Sequence, residues 1–372
     1  MNHKLILTAD DFGVYDEIDN AIISAIQQKR LTAVSVIVTF QGWEQRVEKL
    51  LELRQSYDFG IGLHFCITAG KPLVAPPNSP LRHEIQADYF QLVQNYNFKG
   101  INKQDIAEEL EAQILALKNV LKDEPIDHLN NHHNIVYAIP EFFDGFLEMA
   151  HKYMTPIRSP MSWYRKFKGI QQLPDYEGGE LLSPTMKRGI KIGMWRKLAQ
   201  QSYGNLLIRM HKANKLSVRY SDVLCEYVYG QTHPTNNKGK SVITHALYQF
   251  IDQGMRKSLV DSKENKDPIP VDYTGIHYAN ENTIEKAKKG RRQKFPDVIR
   301  DYGEKRYTKE FSMELIFHLA EPSADYTKMP EMHGMRLDFV PYRQGEFKAL
   351  TDLNLEYYID LMQLQLIPYQ RL

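Results

Sequence analysis

Short apolar runs that end in charge alternate along this chain with longer stretches whose apolar residues recur every three or four positions. "KLILTA" is such a run and stops at two aspartates, as a buried parallel strand does where it reaches the rim of a sheet. In the following "VYDEIDNAIISAIQQKR", Ile18, Ala21, Ile22, Ala25 and Ile26 share one helical face, and the basic end suits a helix C-terminus. "AVSVIVTF" is rich in β-branched residues and predicts a second strand, "WEQRVEKLLELRQ" a second helix and "FGIGLHFCIT" a third strand. This β-α-β-α-β order is the beginning of a parallel α/β fold.

The four prolines of "PLVAPPNSPL", residues 72–81, impose an irregular loop. "DIAEELEAQILALKNVLKD" then sets Ile106, Leu110, Ile114, Leu117 and Leu121 on one face of an amphipathic helix. "IDHLNNHHN" follows where the next strand should end, "PEFFDGFLEMAHKY" is a helix with proline at its start, and "TPIRSP" is a further strand ending. From about Trp163 to Asp267 the alternation blurs into a basic, tyrosine-rich, helix-leaning span, expected to be an insertion or subdomain. The chain thus divides into residues 1–162, the insertion 163–267 and a C-terminal part, 268–372. "FSMELIFHLAEP" in that last part predicts a strand with His318 at its end, and "LTDLNLEYYIDLMQLQL" a closing helix.

Composition narrows the function class. The 372 residues carry 47 basic and 46 acidic side chains, a net charge of +1, so no global field draws in nucleic acid or an anionic membrane. Two cysteines, Cys66 and Cys225, are too few for a disulfide framework or a cysteine-based zinc site and read as buried small hydrophobes. The N-terminus is unlike a signal peptide, and no stretch approaches the roughly 18 apolar residues needed to cross a bilayer, so the expected compartment is the cytoplasm. The basic run "EKAKKGRRQK", residues 285–294, reads as a solvated helix face.

In parallel sheets and barrels, chemistry collects at the C-terminal strand ends. Four predicted ends carry metal-ligand or acid/base residues: Asp10 and Asp11, His64, the histidines of "HLNNHHN", and His318. Singly, each has a bland reading as a capping aspartate, a hydrogen-bonded core histidine or an Asn-rich turn. Together they point to a site. Two imidazoles and a carboxylate can hold a divalent cation, a second carboxylate can accept a proton from water, and a histidine opposite can protonate a leaving group. Such an arrangement hydrolyses an amide or ester.

The motifs "TADDFG", "GIGLHFCITAGKPL", "PIDHLNNHHNIVYAIPEF", "PIRSP" and "MELIFHLAEP", in this order, resemble the successive signatures of the YdjC-like carbohydrate deacetylases, which include chitooligosaccharide deacetylases. The resemblance implies a distorted (β/α) barrel of the polysaccharide-deacetylase type. It also implies a divalent metal, Mg before Zn, Mn or Co, although two histidines by their softness favour the latter three. The implied reaction removes N-acetyl groups from an amino sugar or short oligosaccharide, and family habit implies a homodimer. Carried over position by position, Asp11, His64 and His132 fall on the metal site, Asp10 on the general base and His318 on the candidate acid. Arg158, on the "R-x-P" signature, falls on a clamp or orienting group. His133 and Asn134 follow as neighbours of the substrate. Trp163, Tyr164 and Tyr220 could stack on sugar rings, although core packing is the commoner role for any one of them.

The chain also departs from the pattern. Asn130 and Asn134 stand where the family has Asp and His, and Leu319 and Ala320 replace a Pro-Gly pair after His318. A catalytically degenerate sugar-binding protein of the same fold is therefore the alternative reading.

Overall fold

The strands of the protein run parallel, as the alternation of apolar runs and helical stripes requires. The computed structural model describes residues 3–74, 103–132, 135–138, 140–160, 209–221, 223–225, 312–321 and 364–372, with 343–344, 346–347, 350–351, 356 and 359. In chain order the elements are β1 (His3–Phe12), α1 (Asp16–Gln27), β2 (Ala33–Val36), α2 (Trp43–Arg54), β3 (Gly60–Phe65) and α3 (Lys103–Leu121). There follow β4 (Leu129–Asn131), the single turn α4 (Ile135–Ala138), α5 (Pro140–Lys152), β5 (Val223–Cys225), β6 (Ser312–Phe317), β7 (Leu364–Leu366) and a 3-10 turn, Tyr369–Arg371.

The strands form one sheet in the order β4-β3-β2-β1-β6-β5, with β7 beside the start of β1. All pairings are parallel. Its two ends meet through Ile157, which bridges Leu129 of β4 on one side and Tyr220, just before β5, on the other. The Ile157 and Arg158 backbone amides donate to Arg219 and Leu129 carbonyls at 2.9 Å each. The sheet therefore curls into a distorted (β/α) barrel, as expected.

The helical stripes behave as their spacing dictates. Ile18, Ala21, Ile22, Ala25 and Ile26 of α1, and Ile106, Leu110, Ile114, Leu117 and Leu121 of α3, are all buried in the core between helices and sheet. Each isoleucine or leucine among them contributes roughly 1.5–3 kcal/mol by leaving water. The basic end expected of α1 lies just past it, because Lys29 takes a left-handed φ of 58° and stops the helix. Cys66 is buried, and burial pushes its thiol up to about 11. No described helix is long and apolar enough to cross a membrane.

The closing helix is partly corrected. Leu350, Glu356 and Ile359 are helical, but Leu364–Leu366 forms β7, paired with His3–Leu5. The alternating Leu-Gln-Leu is compatible with either period, and pairing with β1 decides it. Most of residues 163–267 lie outside the described residues, yet Tyr220 and β5 within that span are part of the barrel wall.

Ile6, Ala33, Ile367 and Tyr369 form a small apolar cluster apart from the helix-facing core. Around it Asp10, Ser35, Asp127, His128, Asn130, Arg158 and Glu314 are all buried, with Glu314 level with Ile6 and Asp127 against Gly60, so much of the interior is a polar network. Glycine makes room for it: a Cβ on Gly62 would sit 2.3 Å from the His128 ring, and one on Gly60 2.0 Å from Cγ of Asp127.

Candidate metal centre

Strand register brings the predicted residues together. His64 is the Cα partner of Asn130 across β3 and β4, and His132 follows β4 directly. The β1–β2 register shifts between Ala9 and Phe12, and Asp11 there adopts a φ of 70°. Asp tolerates this left-handed backbone better than most residues. The bulge re-aims its carboxylate across the strand ends.

Asp11, His64 and His132 form the cluster of possible metal donors among the described residues, and all three are buried. Asp11 Oδ1 lies 3.4 Å from His64 Nε2 and 3.2 Å from His132 Nδ1, and the two nitrogens are 3.3 Å apart. Donors about 2.1 Å from one divalent ion are about 3.0 Å apart at right angles and about 3.4 Å apart at tetrahedral angles. The observed triangle lies inside that range. A second observation fits a cation as well. Asp11 Oδ2 accepts a 2.5 Å hydrogen bond from Arg343, whereas Oδ1 is buried without a hydrogen-bond donor. Such an oxygen is costly unless a charge satisfies it.

Asp10 lies beside this triangle in an ion-paired layer. Arg158 donates to its two oxygens at 2.6 and 2.9 Å and to Glu314 Oε1 through Nε at 2.9 Å and Nη2 at 2.8 Å. Burial works against the Asp10 carboxylate, but Arg158 and then His64 outweigh it and hold its pKa well below the usual range. For Asp11 burial likewise opposes the charge, and Arg343 and the two imidazoles outweigh it. Burial also opposes a charged His64, yet Asp10 and Asp11 raise its pKa overall.

His318 sits at the end of β6, where the sequence placed it. Its side chain is 15 % exposed, with Nδ1 3.8 Å from Glu346, and its backbone N–H donates to the same carboxylate. Burial pushes its imidazole down to about 4. Tyr220 packs against the hydrophobic core and donates its hydroxyl to Asn214 Oδ1 at 2.7 Å. His133, Asn134, Trp163 and Tyr164 lie outside the described residues.

Several site residues escaped the sequence reading. Ser35 and Glu314 left a signal: each is a polar residue inside an apolar strand, "AVSV" and "SMELIF", buried on both faces and so in need of a partner. Asp127 directly precedes the histidine-rich stretch, and only that adjacency marks it. Arg343 and Glu346 sit in "PYRQGEF", where neither period nor motif marks them.

A family model described as YdjC-like protein matches residues 4–360. Over 155 residues the chain is 28% identical to a carbohydrate deacetylase of Thermoanaerobacter pseudethanolicus, covering 42% of this chain and 59% of that protein. Over 158 residues it is 28% identical to a chitooligosaccharide deacetylase of Proteus mirabilis, with the same two shares, 42% and 59%. The matched stretch thus spans little more than half the length of these relatives. A crystal structure of a protein proposed to cleave cellobiose phosphate, from Enterococcus faecalis V583, superposes with a TM-score of 0.59 at 16% identity over 100% of this chain and 99% of that one. That likeness concerns the fold alone.

Proposed function

The chain belongs to the YdjC-like family, and on that premise we propose that it is a metal-dependent hydrolase that removes N-acetyl groups from an amino sugar or a short chitooligosaccharide-like carbohydrate. One observation carries the reading: three buried donors, Asp11 Oδ1, His64 Nε2 and His132 Nδ1, lie 3.2–3.4 Å apart beside a second aspartate that Arg158 holds ionised. The names of the relatives, carbohydrate deacetylase and chitooligosaccharide deacetylase, supply the substrate class.

In this reading Asp11, His64 and His132 hold a divalent cation, Mg in line with the family resemblance, with Zn, Mn and Co as the alternatives that two imidazoles favour. Bound there, the cation would supply Lewis acidity, making water more acidic and polarising an acyl oxygen. Asp10 accepts the proton of the water that adds to the acetyl carbon. Arg158 keeps that carboxylate ionised and fixed, so it acts on the substrate through Asp10. His318 gives the amine its proton as the C–N bond breaks, leaving acetate and a free amino group. Since burial holds His318 neutral, it must gain that proton within the cycle. His133 and Asn134, next to His132 in sequence, contact the sugar.

Residues 1–162 and 268–372 build the barrel, to which the span 163–267 lends Tyr220 and β5 and is otherwise an insertion. A homodimer in the cytoplasm completes the proposal. Acetate release from acetylated chitooligosaccharides, with and without added Mg, Mn, Co or Zn, tests it. Metal-dependent acetate that Asp11→Ala and His132→Ala abolish supports it, and none from any N-acetylated sugar refutes it.

A further inference from the structure

A second polar layer lies under the cation site, and it runs between two carboxylates. Asn130 Nδ2 donates to Asp10 Oδ1 at 3.1 Å and to Ser35 Oγ at 2.8 Å, which uses both amide hydrogens. Ser35 Oγ is 2.9 Å from His128 Nε2, and His128 Nδ1 is 3.0 Å from Asp127 Oδ2. Asp127 also accepts the backbone N–H groups of Tyr369, at 3.3 Å, and Gln370, at 3.0 Å. Ser35, Asp127, His128 and Asn130 are fully buried, and the His128 ring stacks on Tyr369 at 4.4 Å.

The direction of every bond in this chain follows from its ends. A carboxylate only accepts, so Asp10 must face the amide nitrogen of Asn130 and Asp127 must face an N–H of His128. Ser35 Oγ receives from Asn130, which leaves its hydroxyl hydrogen to face His128 Nε2. Asn130 Oδ1 is then left to accept, and it lies 2.7 Å from His64 Nδ1. His64 Nδ1 must carry the proton, which leaves the Nε2 lone pair facing Asp11 and His132.

We infer that Asn130 is a positioning residue, held in one orientation by Ser35, His128 and Asp127, that presents His64 to the cation site in the one tautomer able to bind there. The inference rests on the proposed cation site. It also changes the meaning of asparagine at this position. An aspartate in the same place would set an oxygen 3.1 Å from Asp10 Oδ1, where Asn130 now donates. The carboxamide is what this Asp10 and this Ser35 require, and it does not mark a lost centre.

The test uses the full-length protein with Co2+ as probe. Nitrogen-15 spectra of histidine-labelled protein in alkaline buffer, with His64 assigned through His64→Gln, read the tautomer. Calorimetric titration with Co2+ reads affinity. The expected result is His64 protonated at Nδ1 in the wild type, with Asn130→Leu, which removes the acceptor, and Ser35→Ala each weakening Co2+ binding roughly tenfold to a hundredfold. Ser35→Thr, which keeps the hydroxyl, restores binding. A wild-type His64 protonated at Nε2, or, where the wild type binds Co2+, an unchanged affinity in either Asn130→Leu or Ser35→Ala, overturns the inference. A wild type that binds no Co2+ removes the proposed cation site, and the tautomer then decides alone: loss of the Nδ1-protonated form in Asn130→Leu upholds control of His64 by Asn130, and its retention overturns it.

Discussion

Arg158 and Asp10 face each other inside the barrel through two hydrogen bonds, of 2.6 and 2.9 Å, with neither side chain more than 2 % exposed. A buried pair of this kind is worth little compared with an apolar pair, but breaking it strands a charge. Arg158→Met leaves both Asp10 and Glu314 without their cation and is expected to destabilise the fold by about 3–5 kcal/mol. Arg158→Lys keeps the charge, loses the fork geometry and is expected to cost less stability than activity. Urea denaturation and acetate release, measured on both variants, separate the two effects.

Gly62→Ala is expected to be destabilising out of proportion to one methyl group. Its Cβ would lie 2.3 Å from the His128 ring, which is itself pinned by Ser35, Asp127 and Tyr369 and cannot give way. A cost of about 1–3 kcal/mol is expected from overpacking, read by urea denaturation. A stability equal to wild type would mean that the ring moves freely.

Asp19 gives the fold a measurable pH dependence. It accepts hydrogen bonds from the Gly13 amide at 2.8 Å and from Arg46 at 2.6 Å, yet burial dominates and raises its carboxyl to about 6. A folded-state pKa above the unfolded value means that the folded state holds the proton longer. The contribution of Asp19 to stability therefore falls as pH rises from about 4 to about 6, by at most about 3 kcal/mol. Asp19→Asn should flatten urea-denaturation stability across that window relative to wild type, and an unchanged slope would assign the dependence to other groups.

Cation binding should also appear as stability. A ligand that binds only the folded state adds about 2.7 kcal/mol at a hundredfold excess over its dissociation constant. Thermal unfolding of the wild type is expected to shift upward with added Mn2+ or Co2+ and to return with chelator, whereas His132→Ala, which lacks one of the three donors, should show little shift.

The strands and the helical stripes were legible because each rests on local information: a period, a strand end or a residue type next to it. Strand ends brought forward both aspartates, His64, the histidines of "HLNNHHN" and His318, and the family resemblance singled out Asp11, His64 and His132 among them. The support beneath them was less legible, because Ser35, Asp127 and Asn130 act through pairings between β2, β3, β4 and the C-terminal turn that no single stretch encodes. Arg343 reaches Asp11 across 332 positions of sequence and carries no motif. The strand Leu364–Leu366 was hidden for a related reason, since three residues are too few to establish a period and only β1 fixes their state.

Anomalous diffraction from crystals soaked in Co2+ or Zn2+ tests the metal centre most directly. The account predicts one strong peak about 2.0–2.3 Å from Asp11 Oδ1, His64 Nε2 and His132 Nδ1 together. A peak bound elsewhere, or none at this triangle with the cation in excess, would contradict it.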